Sequence, residues 1–465
     1  MTVQNGTTPV LLLEFNELTP SLIDRFVCEG RLPNFKILHD ESEVYTTQAV
    51  EKYPYLEPWI QWITVHCGLN YDSHGVYRLG DGRDLTKPCV WDLLSEHRFR
   101  VWLCGSMNIR YDSPINGYVL PDPWSANVRP FPDSLTPYYR FVQAHVQEYT
   151  NDRVPLSGMD YLKFLGFMMR HGLSLSTVAA IARQLVSERT GKYRWRRAAI
   201  MDRLQFDLFR AVYRRSRPHL STFFLNSTAH LQHMYWRNME PEAFTLKPTG
   251  EEQRQFAQAV LFGYEAMDRL VGDFRRLVGD AGTIIFCTAL SQQPCVMYEE
   301  QGGKVPHRPR SFDALLAFAG IRSPHRVSPV MSEQFRVYFE TEQDAADAAK
   351  QLLTLRVEER VALEVRQERE ALFVSCEILW ELPDDAMLEV ADSDRRAPFF
   401  DIFYRIEGLK SGMHHPDGML WVRHPDKRHC IHKDRVPLTA IAPMILKMFG
   451  VPPPAFMRAA LEVCA

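Results

Sequence analysis

Histidines and carboxylates gather at a few short stretches of this chain. Glu14, Asn16 and Glu17 lie in VLLLEFNELTP, Glu57 stands directly before Pro58, and His230 and His233 share AHLQHMYW. Ser291 and Gln292 follow TIIFCTAL, and His414, His415 and Asp417 fall in SGMHHPDGML. Imidazoles and carboxylates brought to one cleft can hold a divalent ion, move protons without one, or bind a phosphate or sugar through hydrogen bonds. His230 and His233 share one face if their stretch is helical. Glu57 has two readings: a carboxylate able to act as base or nucleophile, or an acid at the start of a helix that has Pro58 in its first position. Glu14 is either a reactive carboxylate or a strand-end acid facing the next helix. His414 precedes Pro416-Asp417-Gly418, a turn signal that sets it in a loop. His74-Gly75 reads as a turn, and Trp59, Trp62, Tyr235 and Trp236 as core, with stacking on a sugar or base as the alternative.

The elements that must position these groups follow from apolar periodicity. Val10–Phe15 (VLLLEF) is an almost unbroken apolar run, the signature of a strand buried on both faces of a parallel sheet. RVWLC at 100–104, LSTFFL at 220–225 and TIIFCT at 283–288 read the same way. Thr19 is the expected N-cap of a helix that has Pro20 at its first position. Apolar strands alternating with helices define an α/β fold with a mostly parallel sheet, whose ligands collect beyond the carboxyl ends of the strands. Two regions interrupt the alternation. Residues 125–215 read as helical and arginine-rich, and residues 326–390 as a small α+β insertion (FRVYFE, EQDAADAAKQLLTL, VALEVRQE, ALFVSCEIL). The core then consists of 1–124, 216–325 and 391–465.

The bulk composition narrows the function class. The 465 residues are 46% hydrophobic and 24% charged with a net charge of −3, which offers no general drive toward nucleic acid. Nine scattered cysteines without a CxxC pair argue against a disulfide framework and for a reducing cytoplasm. MTVQNGTTPV lacks the pattern of a signal peptide. The apolar region Leu162–Val186 is broken by Arg170, His171 and Arg183, so it is not expected to span a membrane. The arginines from Arg183 to Arg217, with Lys192 among them, read as solvated helix faces, or as a basic wall for an anionic ligand or for peripheral membrane contact.

Four stretches together resemble the alkaline phosphatase superfamily, in particular its type I phosphodiesterase and nucleotide pyrophosphatase branch. They are LLLEFNELTPSLIDRFVCEGRLPNFKIL, LEPWIQWITVHCGLNYDSHGV, SGMHHPDGML and VPLTAIAPMILKMFGVPPP. The resemblance implies an alkaline-phosphatase-like three-layer α/β sandwich and hydrolysis of a phosphate or sulfate ester. It also implies a pair of divalent ions held by carboxylates and imidazoles, beside an attacking Ser or Thr. The matching positions depart from this. The first Asp ligand falls on Asn16, the nucleophile on Pro58, an Asp with a His four residues later on Ala229 and His233, an Asp-His pair on Leu290 and Ser291, and the last His on His414. His233 and His414 remain.

Neutral side chains do not offset two divalent cations, so a two-zinc site is not expected. The resemblance leaves at most one zinc or manganese ion, on His233 and His414. It leaves Glu57, Glu14 and His414 as catalytic candidates, and Asn16, His230, Gln292 and His415 as groups for a small anionic or sugar-phosphate ligand. Two functions stay open: an atypical, metal-poor ester hydrolase, and a catalytically inactive relative that binds an anionic ligand or a partner protein.

Overall fold

In the computed structural model, residues 8–112, 114–125, 127–149, 156–190, 193–330, 332–406, 409–457 and 461 are described. The opening residues 1–7 and Lys192 lie outside them.

The apolar run Val10–Phe15 forms β1 with all six side chains buried. Its alternation sends Val10 and Leu12 into one hydrophobic cluster and Leu11, Leu13 and Phe15 into another on the opposite face. The strand is the middle of an eight-stranded sheet. With β2 (Glu43–Gln48), β3 (Val101–Cys104), β4 (Gly117–Leu120), β5 (Leu220–Leu225) and β6 (Thr283–Cys287), the order is Cys430–Pro437, β2, Asp417–Arg423, β6, β1, β5, β3, β4. Only Asp417–Arg423 runs antiparallel to its neighbours. The expected mostly parallel α/β sandwich is therefore present, with helices over both faces.

α1 (Pro20–Cys28) and α2 (Pro33–Asp40) both begin with proline in the first turn. Thr19 occupies the N-cap position of α1, but its hydroxyl does not cap the helix. It turns instead to the Gln292 carbonyl oxygen at 3.1 Å and to Gln232 Oε1 at 3.3 Å. α3 (Pro58–Cys67) has Glu57 at its N-cap and Pro58 at its first position, and it is buried along nearly its whole length. It ends at Gly68 in the left-handed region (φ 68°), where a Cβ would press on Met457 and the Thr439 carbonyl.

The first interruption is helical, with helices Thr136–Tyr149, Gly158–Arg170, Leu175–Ser187 and Arg197–Ser216. The last carries Leu204, Phe206, Leu208, Phe209 and Val212 into the core. The second interruption has its own hydrophobic core, drawn from Phe312 to Phe403. The four segments expected there form as Gln334–Phe339, Glu342–Leu352, Leu363–Glu368 and Ala371–Cys376. A further four-stranded sheet adds Leu355–Val357, Arg360–Val361, Met387–Val390 and Arg396–Pro398. The unit leans on the core through Arg336–Asp81 at 2.7 Å and through Arg78, which pairs with Glu368 and stacks on Phe373.

Candidate functional site

The backbone after β1 is pinned between its neighbours. Asn16 N–H donates to the Leu225 carbonyl at the end of β5, and Glu17 N–H to the Thr288 carbonyl just after β6. Glu17 takes a left-handed φ of 60°, uncommon for a residue with a Cβ. That turn aims its carboxylate into a buried pocket. Oε1 accepts from Asn16 Nδ2 at 2.7 Å, and Oε2 accepts from Gln292 Nε2 at 2.5 Å. The same Oε2 lies 3.0 Å from His233 Nε2 and 3.5 Å from His414 Nε2.

Three elements deliver the partners. His233 stands on the helix Ser227–Met239 that follows β5. Gln292 and His414 come from a two-stranded ribbon, β7 (Ser291–Pro294) against Gly412–His415, in which His414 pairs directly with Gln292. Gly412 lets the ribbon approach, because a Cβ there would stand 2.3 Å from Gln292 Oε1 and 2.7 Å from the Gln232 carbonyl oxygen. His233 is locked in turn. Its Nδ1 faces the Gly412 carbonyl at 2.8 Å, and a carbonyl only accepts, so Nδ1 carries a hydrogen and Nε2 is turned to Glu17.

The electrostatics follow from this packing. Burial alone pushes the Glu17 carboxyl up. His414, His233 and the bonds from His233 and Gln292 outweigh that and hold it at about 2. His414 is pushed down to about 3, first by burial and then by His233 and Lys410, against the pull of Glu17. At neutral pH an ionised carboxylate therefore faces an uncharged imidazole. Glu57 meets the other nitrogen, with its Oε2 3.5 Å from His414 Nδ1. Burial pushes the Glu57 carboxyl up to about 8, with Glu17 and Glu333 adding and Lys410 and Lys304 opposing. Lys304 is tied to Glu333 at 2.8 Å, whereas Lys410 forms no salt bridge among the described residues.

The fold thus brings together Asn16, Glu57, His233, Gln292 and His414. Glu17, His233 and His414 offer one ligand atom each, all within 4.8 Å of one another. Three other predicted residues stand apart. Glu14 turns toward α3, where its Oε1 lies 2.7 Å from His66 Nε2 and its buried Oε2 has no partner among the described residues. His415 points away from His414 along the strand, and its Nδ1 accepts from Asp417 N–H at 3.2 Å. His230 lies one turn before His233, its imidazole pushed down to about 4 by burial and by His233. His74 shapes a turn as expected, accepting from Val76 N–H.

Ala229 is buried and gives its carbonyl oxygen to Gln292 Nε2. The residue facing Asn16 is Asn226, whose Oδ1 accepts from Asn16 Nδ2 at 2.7 Å. Asn226 and His230 are four apart, as are Ala229 and His233. Glu17 was named among the gathering groups but given no role, and Asn226 and Lys410 were not singled out. The available signal for the first two was their place just after a buried, mostly apolar strand.

No protein-family model matches the chain, and no curated protein matches it. The solved structures similar to it include two of phosphonoacetate hydrolase from Sinorhizobium meliloti 1021. The one in complex with phosphonoformate is 12% identical and the one in complex with phosphonoacetate 13%. Each has a TM-score of 0.42 and covers 96% of this chain and 96% of its own.

Proposed function

We infer that the chain is an alkaline-phosphatase-like hydrolase of a phosphate or sulfate ester, working with a single divalent ion. The observation that carries this reading is the convergence of Glu17, His233 and His414 on one point within 4.8 Å. The sequence segments that resemble the superfamily supply Glu17, Glu57 and His414 to that point. The donor set fits one ion: a carboxylate held ionised, and two imidazoles whose Nε2 atoms face it. The Gly412 carbonyl orients His233 in the way a supporting partner orients a metal-binding histidine. It does not fit two ions, because Asn16, Asn226 and Gln292 are neutral and Leu290 is apolar.

When bound, a zinc or manganese ion there would polarise an ester oxygen and acidify a water. The protein's own groups would do the rest. Lys410 would draw the anionic group of the substrate toward the trio. Glu57, across His414, would hold and release the proton that the leaving oxygen needs. Elemental analysis of the purified protein is the test, paired with turnover of an aryl phosphodiester. One ion per chain and a chelator-sensitive reaction are expected. Two tightly held ions per chain would overturn the reading.

A second reading rests on Pro58. It fills the first position of α3, the place that the resemblance assigns to the attacking hydroxyl, and it has no hydroxyl. One bound ion with no turnover of phosphate or sulfate esters would make the chain a relative that binds an anionic ligand without cleaving it.

A further inference from the structure

Two consecutive helices hold apolar side chains out into solvent at helical spacing. On Gly158–Arg170, Phe164, Phe167 and Met168 are buried, while Met159, Leu162, Leu165 and Met169 are 45–65% exposed. Four residues later, Leu175–Ser187 buries only Thr177 and leaves Leu175 88% exposed and Val178, Leu185 and Val186 45–62% exposed. Steps of three and four residues in the first set, and of three, seven and one in the second, put each set on one side of its helix. Scattered exposed apolar residues need no explanation, but two such stripes on helices consecutive in the chain mark a surface that meets something.

Charge selects the occupant. Between Leu156 and Arg217 the sequence carries 13 Lys and Arg against 4 Asp and Glu, within a chain of net charge −3. Lys163 and Arg170, seven residues apart, border the first stripe by helical spacing, and Arg183 borders the second. None of the three joins a salt bridge among the described residues. A second copy of the chain would bring like charge against like charge. A bilayer carrying anionic lipids attracts the same border, and its interfacial region takes up the apolar side chains while the helices lie in its plane. No helix among the described residues is long and apolar enough to cross a membrane, which suits docking rather than spanning.

We propose that the helices Gly158–Arg170 and Leu175–Ser187 form a surface that docks the protein on anionic bilayers. The full chain is sedimented with vesicles of phosphatidylcholine alone, and with vesicles in which part of that lipid is replaced by phosphatidylserine. Co-sedimentation is expected with the acidic vesicles and declines as salt is raised. The pair Leu162→Glu and Leu185→Glu abolishes it. Arg170→Gln and Arg183→Gln weaken it about fivefold each, the fold-change for ~1 kcal/mol per basic residue near an anionic surface. Circular dichroism melts show whether the leucine variants fold, and the arginine variants give an independent readout.

Failure to sediment with either vesicle overturns the proposal, as does equal sedimentation with both. Release by millimolar inorganic phosphate at constant ionic strength overturns it too, by pointing to a discrete anion site. A dimer in sedimentation equilibrium that Leu185→Glu dissociates, without vesicle binding by the unaltered chain, assigns the surface to a second copy instead.

Discussion

Two of the three ligand residues in the candidate site are aimed by neutral neighbours. Asn16 and Gln292 donate to Glu17, and the Gly412 carbonyl fixes His233. Glu17→Gln removes the one charged ligand of the trio. Metal affinity should fall by more than the ~10–100-fold that loss of a mere supporting partner costs, measured by competition with a chromogenic chelator. Glu57 is not among the three ligands. Glu57→Gln should leave metal content unchanged and slow ester turnover by roughly 10²–10⁴, the range for a lost proton-transfer group. Equal loss of metal and turnover in that variant would place Glu57 among the ligands instead. His414 and Gln292 were readable in the sequence because a glycine-rich or strand-end segment surrounds each. Glu17 was not singled out, since nothing in ELTP shows that the backbone must turn to a positive φ there and point the side chain inward. Glu14 misled for the opposite reason: it continues the strand, so its direction is set by the alternation of β1.

Among elements, the buried strands were the most legible, because a run such as VLLLEF or TIIFC has no other stable setting. Asp417–Arg423 was hidden, since its residues were read as part of a histidine motif and its antiparallel course has no crossover helix to announce it. The second sheet of the insertion was hidden because its strands are only two to four residues long. Tertiary caps are equally invisible from sequence. Asp268, on the helix Ala259–Val278, accepts from the backbone N–H groups of Asn34 and Phe35 at 2.9 and 2.8 Å and so closes the first turn of α2. Asp268→Ala should cost about 1–2 kcal/mol of stability, read from denaturant titration, with no change in bound metal.

The molecule as a whole carries several acids in places that disfavour their charge. Burial raises Asp202 to about 7, against its bond from Ser227, and raises Asp122 and Asp92 to about 6 despite the donors around them. Each holds its proton more tightly folded than unfolded. Their contribution to stability is therefore full below the unfolded carboxyl range and is lost as pH rises from about 4 through about 7. Asp202→Asn should remove roughly 2–3 kcal/mol of the stability difference between pH 5 and pH 8, seen as a smaller change in melting temperature across that interval. An unchanged difference would show that Asp202 titrates normally.

The ribbon that carries Gln292 and His414 has a consequence at this scale. One of its strands is where the chain departs toward the insertion, and the other is where it returns, so two of the groups facing Glu17 are mounted on the stalk of a separate lobe. A displacement of that lobe, whether from a ligand wedged beneath it or from loosening of Arg336 and Asp81, would reach the carboxylate through two hydrogen-bonded strands. If the ribbon transmits such a displacement, a probe fixed to the lobe would register what happens at Glu17.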